Sequence, residues 1–143
     1  MAIKQISVFI ENRQGRLYEI TSVLEKEGID IRALSVADTT DYGILRLIVT
    51  DSDKALAAFR AQGMTASVTE VLGIEVPDSP GGFSGAVKAL SDGGVAIEYA
   101  YAFITPKEGA ACVIIRVEDN DEATEILTKA GIKMIEPGKA FSK

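Results

Sequence analysis

No histidine occurs anywhere in the 143 residues. Ser-His-Asp and Cys-His triads, histidine-ligated zinc and the commonest general base near neutral pH are therefore excluded. Cysteine occurs once, at Cys112, so no internal disulfide can form and a reducing, cytoplasmic setting is expected. Cys112 lies between Ala111 and Val113 in an apolar stretch, where a small core residue is expected rather than a nucleophile. No cluster of lysine and arginine interrupts a net charge of −6, which argues against nucleic acid and anionic membranes as partners. No apolar run approaches the roughly 20 residues of a membrane span, and the first residues, Met1 to Ile6, lack a signal-peptide core. There is no Gly-Lys-Ser/Thr and no Gly-x-Gly-x-x-Gly to cradle phosphate. Asp51-Ser52-Asp53 and Asp119-Asn120-Asp121-Glu122 lack the central glycine and terminal glutamate of a calcium loop and read as helix caps. No metal and no cofactor are expected, and the case for catalysis weakens.

What is present is a repeat. Gly15, Gly28 and Gly43 are each followed 66 residues later by a glycine, at Gly81, Gly94 and Gly109. Glycines so placed mark backbone turns, and three in constant register predict one small fold built twice. With 47% apolar residues the chain can form a packed core, but a half of about seventy residues has only a marginal one. The halves, 1–70 and 71–143, are expected to pack together or to dimerise.

Local patterns agree with that division. Ile6, Val8 and Ile10 alternate with Ser7, Phe9 and Glu11, so 3–11 predicts a strand. Asn12 to Leu17 is turn-forming, and from Leu17 the spacing of Ile20, Val23 and Leu24 is helical. Gly28 stands where a glycine ends a helix. Ile29–Ala37 and Ile44–Thr50 predict a hairpin about Thr39-Thr40-Asp41-Tyr42-Gly43. Asp51-Ser52-Asp53 offers N-cap residues for a helix through Leu56 and Phe59 that Gly63 ends, and Thr65–Val71 is a fourth strand. The second half repeats the order. A strand over Val71–Val76 leads into the loop Pro77–Gly82, then a helical stripe of Phe83, Ala86, Val87 and Leu90. Val95–Thr105 and Ala110–Val117 form a hairpin about Pro106-Lys107-Glu108-Gly109. A helix with Ala123, Ile126, Leu127 and Ala130 follows Asp119, and Ile132–Ile135 is a short last strand. From the pair Ala55/Ala123 onward the offset is 68, which places a two-residue insertion just before this helix. The tail from Glu136 is polar and is expected to be loose. Each half thus reads as βαββαβ, a ferredoxin-like α+β unit whose antiparallel sheet carries both helices on one face.

The loop Asn12-Arg13-Gln14-Gly15-Arg16-Leu17 and its counterpart Asp78-Ser79-Pro80-Gly81-Gly82-Phe83 carry a resemblance to the ACT domain family, as do Gly28-Ile29-Asp30-Ile31 and Gly94-Val95-Ala96-Ile97. The likeness spans nearly the whole chain and leaves no room within it for a catalytic domain. The chain is similar to stand-alone tandem ACT proteins. The resemblance implies a non-catalytic, allosteric regulatory module that binds a free amino acid, usually at interfaces between paired units, and acts as a homodimer. A second implication is a regulatory subunit or interaction module for an amino-acid biosynthetic enzyme, such as an acetolactate-synthase-like small subunit.

The residues themselves offer a reason. A helix N-terminus leaves amides unpaired and attracts a carboxylate, and glycine at 15 or 81 lets a ligand approach the backbone. Asn12 or Asp78 can accept from the ligand's ammonium, as can neighbouring carbonyls, or Asn12 and Asp78 simply cap their helices; Ser79 is counted with the second loop's binding residues. Arg13 and Arg16 offer guanidinium forks in the first loop, whereas the second exposes more backbone at Gly81 and Gly82. Leu17 and Phe83 open the helices. The ligand's side chain is expected to meet the start of the second strand of a facing unit, Asp30-Ile31-Arg32 or Ala96-Ile97-Glu98. Tyr99, Tyr101 and Phe103 share one strand face; core packing explains them, or else Tyr99 lines the side-chain pocket. Catalysis of the acylphosphatase kind, which uses an arginine and an asparagine, fits Asn12 and Arg13 only superficially, because spacing and flanking residues differ and the second loop has no arginine.

Overall fold

The computed structural model describes residues 2–38, 41–103 and 108–140. The turns expected at Thr39-Thr40 and at Pro106-Lys107, and the strand end at Ile104-Thr105, lie outside the described residues. The chain divides into an N-terminal unit, Lys4–Thr69, and a C-terminal unit, Glu70–Lys143 together with Met1–Ile3.

The N-terminal unit comprises β1 (Ile3–Glu11, from Lys4), α1 (Arg16–Lys26), β2 (Ile31–Asp38), β3 (Tyr42–Val49), α2 (Ser52–Ala61) and the first part of β4 (Ala66–Pro77). Its sheet runs β2-β3-β1-β4, with β3 antiparallel to both β1 and β2. Strand alternation turns Ile6, Val8 and Ile10 of β1 and Leu45, Leu47 and Val49 of β3 to one face. There they meet Ile20 and Leu24 of α1 and Ala55 and Phe59 of α2, so both helices lie on that face and one core results.

The C-terminal unit comprises the rest of β4, α3 (Gly82–Asp92), β5 (Tyr99–Phe103), β6 (Ala110–Arg116), α4 (Asn120–Lys129), β7 (Lys133–Met134) and α5 (Pro137–Ala140). Its sheet runs β5-β6-β4-β7, all antiparallel, which is the same order as in the first unit. Leu72, Ile74 and Val76 of β4 and Val113 and Ile115 of β6 meet Ala86 and Leu90 of α3 and Ala123 and Leu127 of α4. The fold is therefore βαββαβ twice over.

Several expected boundaries shift. Thr65–Val71 and Val71–Val76 are one twelve-residue strand, β4, because no turn-forming residue interrupts them. Residues 95–98 are not strand, although Val95 and Ile97 still pack on the core. Within the tail expected to be loose, Pro137–Ala140 forms the short helix α5.

The repeat itself needs a correction at its third glycine. Gly15 and Gly81 have φ of 85° and 87°, and Gly28 and Gly94 have 69° and 79°, so these two pairs are equivalent turns. Gly43 instead lies inside β3, opposite Ile10 and Asp38, and its φ is not positive. A Cβ there would stand 2.5 Å from the Ala37 carbonyl oxygen, so the glycine serves close strand approach. Its counterpart in the C-terminal unit is Ala111, which faces Val76 as Gly43 faces Ile10. The offset is therefore already 68 at β6, and the two-residue insertion falls between β5 and β6 rather than just before α4. Gly109, with φ of 80°, is part of that insertion's turn.

Candidate functional site

The site candidates gather at the passages from β1 to α1 and from β4 to α3. In both, the glycine itself is the N-cap, and no side chain caps the helix. Asn12 and Asp78 therefore do not cap, which corrects that alternative. Each loop closes on itself, through the Arg16 amide donating to the Arg13 carbonyl at 3.3 Å and the Gly82 amide to the Ser79 carbonyl at 3.0 Å. Each is also tied to the neighbouring hairpin, Asn12 N–H to the Asp41 carbonyl at 3.3 Å and Asp78 N–H to the Gly109 carbonyl at 3.0 Å. The carbonyls of Gly15 and Gly81 accept from Glu19 and Gly85 at 3.0 and 3.1 Å. The amides of Leu17, Tyr18, Phe83 and Ser84 then donate to no group among the described residues. Two amide pairs, each at the positive end of a helix, are left for water or an anion. A Cβ on Gly15 or Gly81 would meet nothing within 4 Å, so both passages are open beside the glycine.

The two differ in charge. Arg13 donates to both Glu19 oxygens, at 3.3 and 3.2 Å, and through Nε to Glu11 at 3.2 Å. Arg16 donates to Glu19 at 2.8 Å and lies 3.7 Å from Glu11. The two guanidinium forks are thus turned to the chain's own carboxylates. Hydrogen bonds from Arg16 and then Arg13 hold the Glu19 carboxyl below its ordinary range, and Glu19 followed by Glu11 raises Arg13. Glu11 and Glu19 are not among the residues expected at the site; the i,i+3 spacing of Arg16 and Glu19 is the signal that marks Glu19. In the second loop Ser79 and Gly81 are exposed, Gly82 is half-buried, and Phe83 is 36% exposed. Gly82 cannot carry a Cβ, which would collide with the Pro77 carbonyl.

The remaining candidates lie elsewhere in each unit. Glu11 faces Tyr42 at one end of β3, whereas Ile31 faces Val49 at the other. Seven residues of strand separate those ends, about 24 Å. Asp30 binds Arg32 at 3.0 Å, and Ile31 packs on the core. In the C-terminal unit Pro77 faces Ala110 while Tyr99 faces Arg116, about 20 Å along β6. Ile97 packs on that core, and Tyr99 is half-buried. A unit therefore holds its own glycine passage apart from its own Asp30-Ile31 or Ile97-Tyr99.

Two ferredoxin-like units, each with an uncapped glycine passage from first strand to first helix, define a tandem of small α+β modules. The chain belongs to the ACT domain pair family, whose sequence pattern matches residues 1–142. The crystal structure of protein BT0572 from Bacteroides thetaiotaomicron is similar at 38% identity and a TM-score of 0.93, over 100% of this chain and 98% of that one. The fold is shared with the regulatory subunit of aspartate kinase from Thermus thermophilus, at 18% identity and a TM-score of 0.66 over 89% of this chain and 91% of that one. The corresponding subunit from Thermus flavus gives 18% and 0.62, over 90% and 92%. No curated protein matches the sequence. Among the described residues no helix is long and apolar enough to cross a membrane, and no group of three or more acidic or cysteine side chains is placed to hold a metal ion.

Proposed function

We propose that the chain is a non-catalytic regulatory protein that binds a free amino acid through its glycine passages. The observation that carries this reading is the duplicated pair of unpaired helix amides beside Gly15 and Gly81. A ligand carboxylate accepts from Leu17 and Tyr18, or from Phe83 and Ser84. Its ammonium is met by Asn12 or Asp78. Of the two, the C-terminal passage is the better seat, because Arg13 and Arg16 are already neutralised by Glu11 and Glu19. The protein acts in the cytoplasm, as a homodimer.

A thermal-shift screen of the twenty amino acids tests this, since a ligand that binds only the folded form raises stability. A small subset is expected to stabilise the protein, and Gly81→Leu is expected to remove the effect while Gly15→Leu removes less. No stabilisation by any of the twenty, with none seen by calorimetry, sinks the reading.

A second reading, a subunit that regulates an enzyme of amino-acid biosynthesis, draws support from the fold shared with aspartate kinase regulatory subunits. It predicts recovery of such an enzyme when the tagged protein is purified from its own cells, and recovery of the protein alone speaks against it.

A further inference from the structure

Between α1 and α2 of the N-terminal unit lies a groove of about 370 Å³. Val23, Ala58 and Met64 give it an apolar lining, and Arg16, Glu19, Lys26 and Glu27 a charged one. Its size is that of a small-molecule site.

The duplicated fold supplies a comparison. By the offsets of 66 for α1 and 68 for α2, Glu27 and Ala58 correspond to Gly93 and Ile126. In the C-terminal unit Ile126 Cδ1 sits 2.5 Å from where a Cβ on Gly93 would be, and Ile126 packs on the core. The isoleucine thus seals the space between α3 and α4. In the N-terminal unit the sealing side chain is reduced to a methyl group and the glycine is a carboxylate. Leaving such a space unfilled forfeits packing, a loss that an occupant offsets.

Charge indicates which occupant. The carboxylates of the groove are engaged: Glu19 by Arg13 and Arg16, and Glu27, whose Oε2 lies 3.9 Å from Lys54 Nζ. One cation retains capacity: Lys26 has no ion-pair partner among the described residues, whereas Arg16 is held by Glu19 and Glu11. The geometry points to a binding site for a small aliphatic carboxylate, its charge at Lys26, its chain on Val23, Ala58 and Met64.

The test is an amide ¹H–¹⁵N spectrum of the full chain titrated with sodium hexanoate, beside acetate and hexylammonium. Hexanoate is expected to give saturable shifts in α1 and α2, centred on Val23 to Glu27 and Ala58 to Gln62. Acetate gives weaker shifts and hexylammonium none. Ala58→Ile rebuilds the seal and Lys26→Gln removes the cation. Each weakens hexanoate binding about tenfold or more, the loss of one well-made contact. Absent shifts, equal shifts with hexylammonium, or undiminished affinity in Lys26→Gln overturn the proposal. Should Ala58→Ile fail to fold, Lys26→Gln decides alone. Neither substitution alters the glycine passages, so stabilisation by amino acids persists in both, and the two readings fail separately.

Discussion

The Asp51 carboxylate stands to Lys54 as that of Asp119 stands to Glu122: each accepts from the amide three residues on, at 3.1 Å in both cases. Both aspartates are extended, with φ of −140° and −117°, and both precede a helix that buries an alanine and a large apolar residue. Each carboxylate satisfies an otherwise orphaned donor at the positive end of its helix. Asp51→Ala and Asp119→Ala are each expected to cost about 1 kcal/mol. Asn at either place is expected to restore most of the loss. Urea denaturation of the four variants checks both statements.

The glycines of the second passage are expected to behave differently although they are neighbours. Gly81→Ala places a Cβ in open space and pays only for a left-handed backbone, about 1–2 kcal/mol. Gly82→Ala drives a Cβ into the Pro77 carbonyl, and neither the strand end nor the helix start can yield without breaking the loop's own hydrogen bond to Ser79. Gly82→Ala is therefore expected to lower the melting temperature more than Gly81→Ala. A thermal melt that ranks them the other way contradicts the loop geometry.

Much of this architecture was legible because backbone demands write themselves into residue types. Alternation of Ile6, Val8 and Ile10, helical spacing of Ile20 and Leu24, and caps at Asp51 and Asp119 each reflect a local rule, and all four stand in the structure. Gly43 looks in sequence like a turn residue, because a glycine that avoids a strand clash cannot be told by type from one that makes a turn. Placing the insertion required strand register, which only pairing reveals. At the candidate site the glycines were readable. The pairing of Glu19 with Arg16 is legible in their i,i+3 spacing, whereas the reach of Arg13 to Glu19 and of Arg16 to Glu11 depends on how strand and helix meet.

Glu19 gives a pH signature with a definite sign. Its carboxyl is held below the ordinary value by hydrogen bonds from Arg16 first and Arg13 second. A group whose folded pKa is depressed binds its proton more weakly folded than unfolded. Its stabilisation is complete above the unfolded value, about 4.3 for glutamate, and disappears as pH falls through the lowered folded value. A ¹³C carboxyl titration is expected to place Glu19 below the ordinary glutamate midpoint. Arg16→Gln is expected to move it up more than Arg13→Gln does. Because the cluster is solvent-exposed, added salt is expected to shrink both effects.

The two cores are separate clusters, each closed by one large fully buried side chain from its second helix, Phe59 in one and Leu127 in the other. Truncating either leaves a cavity that well-packed neighbours fill only in part. Phe59→Ala is expected to cost about 3–5 kcal/mol and Leu127→Ala about 2–5 kcal/mol. A unit of this size has little stability to spare, so each substitution is expected to loosen the unit that carries it. Amide hydrogen exchange tells the units apart: Phe59→Ala should accelerate exchange at Ile20, Leu24, Leu45 and Leu47, and Leu127→Ala at Leu72, Leu90 and Ile115. Acceleration of the same amides by both substitutions would mean that the cores unfold as one.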